Sequence, residues 1–480
     1  MGGTVAGGLF VAQRAVANET SATAPTAAGR FAHQHAGPVP ARAGVAPLTV
    51  APFQVRMPIP PIAAPVRQST TCDEYEVEVR RAQVEVVPGL TTDVLTYGGG
   101  LVGPTIRGRT GRPVKVTFRN SLDVPTNVHL HGAHVAAADD GHPMDLIQPG
   151  AARVYHYPNS QRGTTLWYHD HAHGLEAEHV YYGLHGFYLI DDPAEQQLRL
   201  PTGNHDVPIM LKDVKLDDTG ALVYDIPAER TTVLANGKPT PFFPVSARKY
   251  RFRLLNASNE GMYTLSIDKG KLWQIGTDGG LLPAPVARPA VTFGSAERVD
   301  VVIDFTGLPS GSSVILRDAD KGPVLRFDVG WTAPDTSRVP ARLRALPMLP
   351  QATVERDVRM RFDFTGDPVG LINDKAYDPN RVDFTIKRGS TEIWTIHNDD
   401  TEFGLLHTFH MHLAQFRVLS RTGAPMTPDD AGDKDTVVVP AGTSVRVQAT
   451  FDGYLGRYAY HCHFLEHSSI GMMAQMEIVP

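Results

Sequence analysis

Ten of the twenty histidines, one cysteine and one methionine fall in four short segments whose spacing could bind metal. Eight of these histidines form four His-x-His pairs. Residues i and i+2 of a β-strand point to the same face, so each pair could present two imidazoles to one point. Eight imidazoles exceed the roughly three to five ligands of one ion and divide naturally among three coppers. The pairs are His129/His131, His169/His171, His410/His412 and His461/His463.

A second kind of site is centred on Cys462, the middle residue of the fourth pair. If its two neighbours face the histidine cluster, strand alternation turns Cys462 to the opposite face, where it can join His407 and His467. Two histidines and a cysteine, with Met472 as a long axial ligand, have the composition of a blue-copper site. The segment therefore predicts one copper linked through covalent bonds to a three-copper cluster. Such an assembly could collect four electrons and reduce O₂ to water.

The remaining candidate residues have simpler interpretations. His173 extends the second pair and could lie near the metals, whereas the His33/His35 pair has no strand around it. Cys72 precedes a predicted strand without a nearby histidine and is interpreted as an ordinary small thiol. A disulfide between Cys72 and Cys462 would consume the thiolate that a metal requires, so we expect none. We interpret five further histidines as surface, core or supporting groups: His134, His142, His156, His179 and His185.

The elements that must position these residues are predicted to be short β-strands. The chain has 480 residues, 44 Gly and 38 Pro, and apolar residues often alternate with polar ones, as in EYEVEV and VDVVIDF. This pattern is typical of half-buried strands separated by turns, and predicts an all-β protein. A net charge of −6 without a basic tract argues against a nucleic-acid partner. No apolar run approaches the roughly 20 residues of a membrane span.

The distribution of motifs predicts three β-barrel domains after an N-terminal leader. A short apolar stretch followed by Ala15-Val16-Ala17 is similar to an export signal that lacks its basic start, and the alternative is an apolar tail without that role. We favour the truncated signal and expect an exported protein. Residues 1–48 are predicted to be this signal and a disordered leader. Metal ligands are predicted in residues 49–195 and 346–480, and none in residues 196–345. No close internal repeat is visible, and the sequence does not indicate an oligomeric state.

The four segments resemble the four copper-binding motifs of the multicopper oxidases, which include laccases, bilirubin oxidases and cuprous oxidases. The chain is most similar to bacterial spore-coat laccases and bilirubin oxidases, whose second motif also reads W-Y-H-D-H-A. The resemblance implies three cupredoxin-like Greek-key domains and four coppers. It places His129 and His410 on the type 2 copper and His407, Cys462, His467 and Met472 on the type 1 copper. It places His131, His169 and His463 on one type 3 copper, and His171, His412 and His461 on the other.

The resemblance also implies where electrons and protons enter. His467 would have its edge near the substrate pocket and take in electrons. Asp140 follows His129 by eleven residues, as does the acid near the type 2 copper of similar enzymes; Asp139 is the alternative. Similar enzymes usually have a glutamate directly after the last type 1 histidine, where this chain has Ser468. We expect a water chain anchored by Ser468 or Glu466 to replace it.

Two functions are compatible with these residues. The first is an oxidase for small aromatic reductants, such as phenols, aminophenols or linear tetrapyrroles, with O₂ as the acceptor. The alternative is a metallo-oxidase that oxidises Cu(I) or Mn(II). Cuprous oxidases carry a methionine-rich insert, whereas the 12 methionines here cluster only in GMMAQM, which favours the organic substrate. A copper-free relative would have lost ligands, and none of the expected ligands is missing.

Overall fold

The computed structural model describes residues 48–480. The predicted export signal, the His33/His35 pair and all of the predicted leader except residue 48 lie outside the described residues. The described chain is built mainly of strands, which confirms the all-β prediction. Its sheets form three units, each with two sheets, and they follow one another along the chain.

The first unit carries two of the histidine pairs. Its five-stranded sheet has the order β1-β2-β5-β7, with β3 paired to β2, and its four-stranded sheet has the order β4-β9-β8-β6. The strands are β1 (Arg67–Gln68), β2 (Asp73–Val84), β3 (Thr92–Tyr97), β4 (Gly103–Arg109), β5 (Val114–Asn120), β6 (His129–His131), β7 (Ala152–Tyr157), β8 (Thr164–His169) and β9 (His185–Asp191). Helix α1 (Glu176–Tyr182) lies between β8 and β9.

The second unit contains a seven-stranded sheet and a five-stranded sheet. The first has the order β12-β11-β10-β14-β19-β16-β17 and the second β13-β21-β20-β15-β18. The strands are β10 (Asp206–Val214), β11 (Thr232–Ala235), β12 (Lys238–Pro239), β13 (Phe242–Ala247), β14 (Lys249–Asn256), β15 (Met262–Ile267), β16 (Leu272–Thr277), β17 (Gly280–Arg288), β18 (Ala290–Gly294), β19 (Arg298–Asp304), β20 (Ser313–Asp318) and β21 (Gly322–Thr332).

The third unit carries the other two pairs and Cys462. Its sheets have the orders β23-β22-β25-β30-β27-β28 and β24-β32-β31-β26-β29. The strands are β22 (Val354–Asp363), β23 (Val369–Ile372), β24 (Phe384–Lys387), β25 (Ser390–Asn398), β26 (His407–Met411), β27 (Phe416–Thr422), β28 (Asp433–Lys434), β29 (Thr436–Val439), β30 (Ser444–Phe451), β31 (Gly456–Cys462) and β32 (Met473–Val479). Helix α2 (Leu465–Ser469) connects the last two.

The three units share one topology although their sequences show no close repeat. In each, an early strand runs parallel to a later neighbour: β2 with β5, β10 with β14 and β22 with β25. In each, the last strand also runs parallel to an earlier one: β9 with β4, β21 with β13 and β32 with β24. The other strand pairs of these sheets are antiparallel, so the same winding is used three times.

Strand alternation builds a separate apolar core in each unit. In β2, Tyr75, Val77 and Val79 are buried, whereas the glutamates between them face outward. The same burial of alternate apolar residues fills the second and third units. Because each strand has one apolar face, two sheets must close on each other to remove it from water.

The start of the described chain is attached to the second unit. Arg56 forms a parallel bridge with Phe242, and Met57 is buried in the core of that unit. The predicted boundary at residue 49 therefore assigns to the first domain a segment that packs on the second. Within residues 48–480, neither α-helix is long and apolar enough to cross a membrane.

Candidate metal centres

Antiparallel strand pairing places the histidine pairs opposite each other within each unit. In the first unit, β6 pairs with β8 so that His129 lies opposite His169. In the third unit, β26 pairs with β31 so that His410 lies opposite His461. Of the four pairs, only His129/His131 lies wholly inside a strand. Strands β8, β26 and β31 each end before the second histidine of the pair that they carry. The imidazoles still converge, since the ring centroids within these three pairs lie 5.8, 5.0 and 5.3 Å apart.

The first and third units meet face to face at these histidines. The rings of His129 and His412 stack with 3.8 Å between their centroids, and those of His131 and His410 with 3.7 Å. The eight imidazoles form one buried cluster that neither unit could build alone. Three sets within it have ligand atoms close enough for one ion each: His129/His131/His410, His131/His169/His463 and His171/His412/His461.

Backbone carbonyls orient several of these rings. Nδ1 of His129 donates to the carbonyl of Asp140 at 2.6 Å, and Nδ1 of His410 to that of Asp435 at 2.7 Å. Their Nε2 atoms are buried without a hydrogen-bond partner. The two ring nitrogens of His131 have the opposite roles. Its Nε2 contacts the Asp435 carboxylate at 3.0 Å, and its Nδ1 is buried without a hydrogen-bond partner. One ring nitrogen of each is thus available as a ligand.

The electrostatics of the cluster also suit a metal. Burial lowers the pKa of His169 and of His461 to about 4, so that these rings are neutral. Nε2 of His461 lies 3.1 Å from Nε2 of His171 and 3.3 Å from Nε2 of His412. Neutral imidazole nitrogens that converge without a protein donor between them are a ligand set for copper. The residues therefore fit the metals that the sequence predicts.

Cys462 lies on the opposite side of β31, as alternation predicts. Its Sγ is 3.6 Å from Nδ1 of His407 and 3.5 Å from Nδ1 of His467, and the two nitrogens are 3.1 Å apart. Burial raises the pKa of the Cys462 thiol, but the two imidazolium charges outweigh it and bring the pKa to about 6. Nε2 of His407 contacts Asp400 at 2.7 Å, a supporting carboxylate that sequence reasoning missed.

Met472 is fully buried beside this site. The amide of Cys462 donates to its carbonyl at 3.1 Å, and Gly370 lies so close that an added Cβ would be 2.6 Å from the Met472 Cβ. The backbone contact holds Met472 next to the cysteine. Its role as the axial ligand stays a prediction.

The side chains of the two adjacent aspartates, Asp139 and Asp140, point to different surroundings. Asp140 is fully buried and accepts a hydrogen bond from Nδ1 of His412 at 2.7 Å. Burial raises the pKa of Asp140 to about 6. Asp139 turns the other way, and its carboxylate accepts from the backbone amide of His156 at 2.8 Å. Asp140 is thus the acid that contacts the cluster.

Exchanging the Asp140 carboxylate for an amide should lower turnover. Asp140→Asn keeps the shape and one acceptor oxygen for His412, but it loses the negative charge and the titratable proton of the carboxyl group. Such supporting groups typically contribute about 10- to 100-fold to metal affinity or activity. We expect a loss of that size in O₂ uptake by the copper-loaded protein. Asp139→Asn is the matched control and should keep the wild-type rate. Equal rates for the two variants would contradict the assignment.

The two residues expected to anchor a proton path have different surroundings. Glu466 accepts from Arg230 at 2.7 Å and from the amide of Asn259 at 3.0 Å, so it is held in an ion pair with the second unit. Ser468 is fully buried, and its hydroxyl lies 3.1 Å from the carboxylate of Glu176 in α1. Sequence reasoning missed Glu176. Its four-residue spacing from Val180, also buried, is the helical signal that could have revealed it.

A buried ion-pair network beside the cluster joins all three units. Arg298 of β19 donates to the Asp435 carboxylate at 2.7 Å and to the carbonyl of Thr165 at 2.9 Å. Lys434 lies 3.0 Å from Asp278 in the same network. Because the Asp435 carboxylate also contacts His131, this network positions a cluster histidine.

The remaining sequence candidates lie outside the metal sets. The His173 ring packs edge-on against Tyr377 with 4.7 Å between centroids, and within residues 48–480 it belongs to none of the candidate sets. Cys72 and Cys462 are both free thiols, as expected.

Comparison with known proteins agrees with this geometry. Family models described as multicopper oxidase match residues 78–195 and 344–480. A laccase of Bacillus subtilis (strain 168) is 36% identical over 90% of this chain and 99% of its own length. A bilirubin oxidase of Albifimbria verrucaria is 36% identical, over 88% of this chain and 80% of its own length.

A solved structure supports the same relationship. The laccase of Pediococcus acidilactici superimposes with a TM-score of 0.83 at 31% identity, covering 90% of this chain and 96% of that one. The cupredoxin-like domains of such neighbours agree with the predicted fold, and members of the family bind four coppers of types 1, 2 and 3. This chain belongs to the multicopper oxidase family.

Proposed function

We propose that this protein is a laccase-type oxidase of small aromatic donors that carry hydroxyl or amino groups. Each donor would lose one electron near His467, and four such electrons would reduce one O₂ to two waters. The observation that carries the substrate class is an apolar cavity beside His467 with one carboxylate in its wall.

This cavity has a volume of about 260 Å³. That is near the lower end of the roughly 300–1,000 Å³ of small-molecule pockets, which favours a single ring over a linear tetrapyrrole. Phe464, whose ring packs edge-on against His467 at 5.2 Å, forms part of the wall. The other lining residues are Ile226, Pro227, Ala228, Glu260, Met262, Phe403, Gly404, Leu405 and Leu406.

Glu260 gives the apolar cavity its chemical selectivity. Its carboxylate lies 3.6 Å from Nε2 of His467. One-electron oxidation of a phenol or aminophenol releases a proton, and a carboxylate beside the ring can accept it. A donor with an O–H or N–H group therefore fits this cavity better than a hydrocarbon does.

The methionines of residues 48–480 form no cluster in the wall of the cavity beside His467. Met472, Met473 and Met476, which form the only methionine cluster in the sequence, are fully buried, and the last two lie in β32. Met262 is the one methionine in the cavity wall. Several exposed thioethers near His467 would be expected for a Cu(I) donor.

In this proposal, each part of the site has its own role in the reaction. Copper, when bound, supplies one-electron transfer and the reduction of O₂. His407, Cys462 and His467 would hold the type 1 ion, and the eight clustered histidines the other three. Cys462 is bonded through the backbone to His461 and His463, which gives electrons a covalent route between the two centres. Asp140 keeps His412 oriented, and Glu260 receives the proton of the donor.

O₂ uptake by the copper-loaded protein tests this function. We expect phenols and aminophenols to be oxidised faster than bilirubin, Cu(I) or Mn(II). Glu260→Gln should lower kcat/KM for a phenol about 100-fold or more, because it removes the proton acceptor. The same variant should not lower kcat/KM for ferrocyanide, which has no transferable proton and, as an anion, is repelled less once the carboxylate is gone. Faster oxidation of Cu(I) or Mn(II) would establish the metallo-oxidase instead.

A further inference from the structure

We propose that Glu176 delivers protons for O₂ reduction, and that it does so through the hydroxyl of Ser468. Glu176 belongs to the first domain and Ser468 to the third, so this relay crosses the interface at which the histidine cluster lies. The inference rests on the proposed reduction of O₂ to water, but it does not depend on which donor supplies the electrons.

The position of the pair relative to the cluster is set by two short helices. Glu176 begins α1, and its amide donates to the carbonyl of Ala172, the residue after His171. Ser468 lies in α2, which begins two residues after His463. The two segments leave the cluster after His171 and after His463. They meet about one helical turn further along, where Glu176 contacts Ser468. Ala177 and Val180 of α1 pack against Leu465 of α2, which fixes the contact.

The environment of Glu176 is that of a proton donor rather than of a structural ion. Its carboxylate is fully buried, and within the described chain no lysine or arginine pairs with it. Burial raises the pKa of Glu176 to about 7. Oε2 of Glu176 and the nearby Ser469 hydroxyl make no hydrogen bond of good geometry. An acid that is half protonated near neutral pH can both give and regain a proton.

The hydroxyl of Ser468 can change its partner. It lies 3.1 Å from the Glu176 carboxylate and 3.1 Å from the carbonyl of Leu465, but it has one proton to donate. When Glu176 is protonated, its O–H can donate to Ser468 while Ser468 donates to Leu465. When Glu176 is ionised, Ser468 donates to the carboxylate. The hydroxyl can thus pass on its own proton and receive one from Glu176.

The balance of the reaction requires such a supply. Reduction of one O₂ by four electrons to two waters consumes four protons in a site closed to solvent. In each of the four transfers Glu176 gives a proton to the Ser468 hydroxyl, while Ser468 gives its own proton to a water molecule on the cluster side, which carries it to the oxygen that is being reduced. The Glu176 carboxylate then regains a proton from bulk water.

Other titratable groups surround Glu176 without replacing it. The negative charge of Asp170 raises the pKa of Glu176. Asp170 lies 3.3 Å from Nδ1 of His179, and that ring compensates the charge of Asp170. Tyr377 of the third unit and Tyr224 of the second also lie within its electrostatic range, and burial raises the pKa of both. Their high pKa values leave Glu176 as the acid of this group that titrates near neutrality.

The test compares Glu176→Gln with a variant in which the acid is moved. With ferrocyanide as the electron donor and O₂ limiting, Glu176→Gln should lower turnover at least about tenfold and increase its solvent deuterium isotope effect. The double variant Glu176→Gln/Ser468→Glu should recover most of the rate, because it returns a carboxyl to the same interface. Glu178→Gln, in the same helix and half-exposed, is the matched control and should behave as wild type.

An infrared titration gives a readout that is independent of turnover. In the metal-free protein, the difference between the infrared spectra of the wild type and Glu176→Gln should contain the carbonyl stretch of one protonated carboxylic acid that titrates with a midpoint near 7. Glu297, whose pKa burial also raises to about 7, is present in both proteins and cancels in this difference. Full copper content in each variant shows that the fold is retained. Unchanged turnover in Glu176→Gln would overturn the proposal, as would loss of turnover that the double variant does not rescue. Altered preference among organic donors would bear on the substrate class alone.

Discussion

Replacing Cys462 by serine should abolish turnover and remove the blue colour of the copper-loaded protein. The hydroxyl of serine is not ionised at neutral pH, whereas the pKa of the Cys462 thiol is lowered to about 6 by His407 and His467. Serine would also lack the soft sulfur ligand that gives a blue-copper site its colour and electron-transfer properties. We expect the histidine cluster to persist, because none of its ligands is altered.

Three measurements check this expectation. Metal analysis should find one copper fewer than the four of the family, and visible absorption should lose the thiolate band. O₂ uptake with any donor should fall below detection. Cys72→Ser is the matched control, since Cys72 is a free, partly exposed thiol far from the metals in sequence, and it should retain colour, copper and rate. A blue, active Cys462→Ser protein would contradict the assignment of the type 1 site.

Removing the guanidinium of Arg298 should cause the largest loss of stability. Arg298 is fully buried and bonds the Asp435 carboxylate and the carbonyl of Thr165, so it connects the three units. In Arg298→Met, Asp435 would remain buried without its main positive partner. Breaking one side of a buried ion pair costs about 3–5 kcal/mol, so we expect a decrease of that size in the free energy of unfolding.

Denaturant unfolding of the metal-free protein measures this decrease. Arg359→Met is the matched control: Arg359 pairs with Asp399 at 3.0 Å, but its side chain is 50% exposed. Loss of an exposed pair costs at most about 1 kcal/mol. Copper retention should also fall in Arg298→Met, because Asp435 holds Nε2 of His131. A change no larger than that of the control would show that the network does not stabilise the interface.

Strand alternation explains why the sequence sufficed to predict the candidate metal ligands that the fold brings together. The i, i+2 spacing of His461 and His463 directs both rings to one side and Cys462 to the other, whatever the rest of the fold does. The offset of His467 then needs only one short helical turn to bring its Nδ1 to 3.5 Å from the cysteine sulfur. The alternation of EYEVEV likewise predicted a strand with one buried face, and β2 has that pattern.

Strand alternation could not predict the contacts between segments that are distant in the sequence. Asp139 and Asp140 are adjacent and chemically identical, and only the turn before Gly141 decides that Asp140 reaches His412. From the sequence, Glu466 was a candidate for proton delivery. The fold pairs it with Arg230, which lies 236 residues earlier in the chain.

The sequence by itself determined which residues are candidate metal ligands, because local strand geometry sets the direction of neighbouring side chains. Only the tertiary structure decided how the rings of the two units pack against each other and which acid contacts them. Ser468 marked the place where a carboxyl group was expected, and Glu176, 292 residues earlier in the chain, supplies one there. The physical reason is that burial and hydrogen bonding, which set the pKa and partner of a carboxyl group, depend on every segment that packs around it.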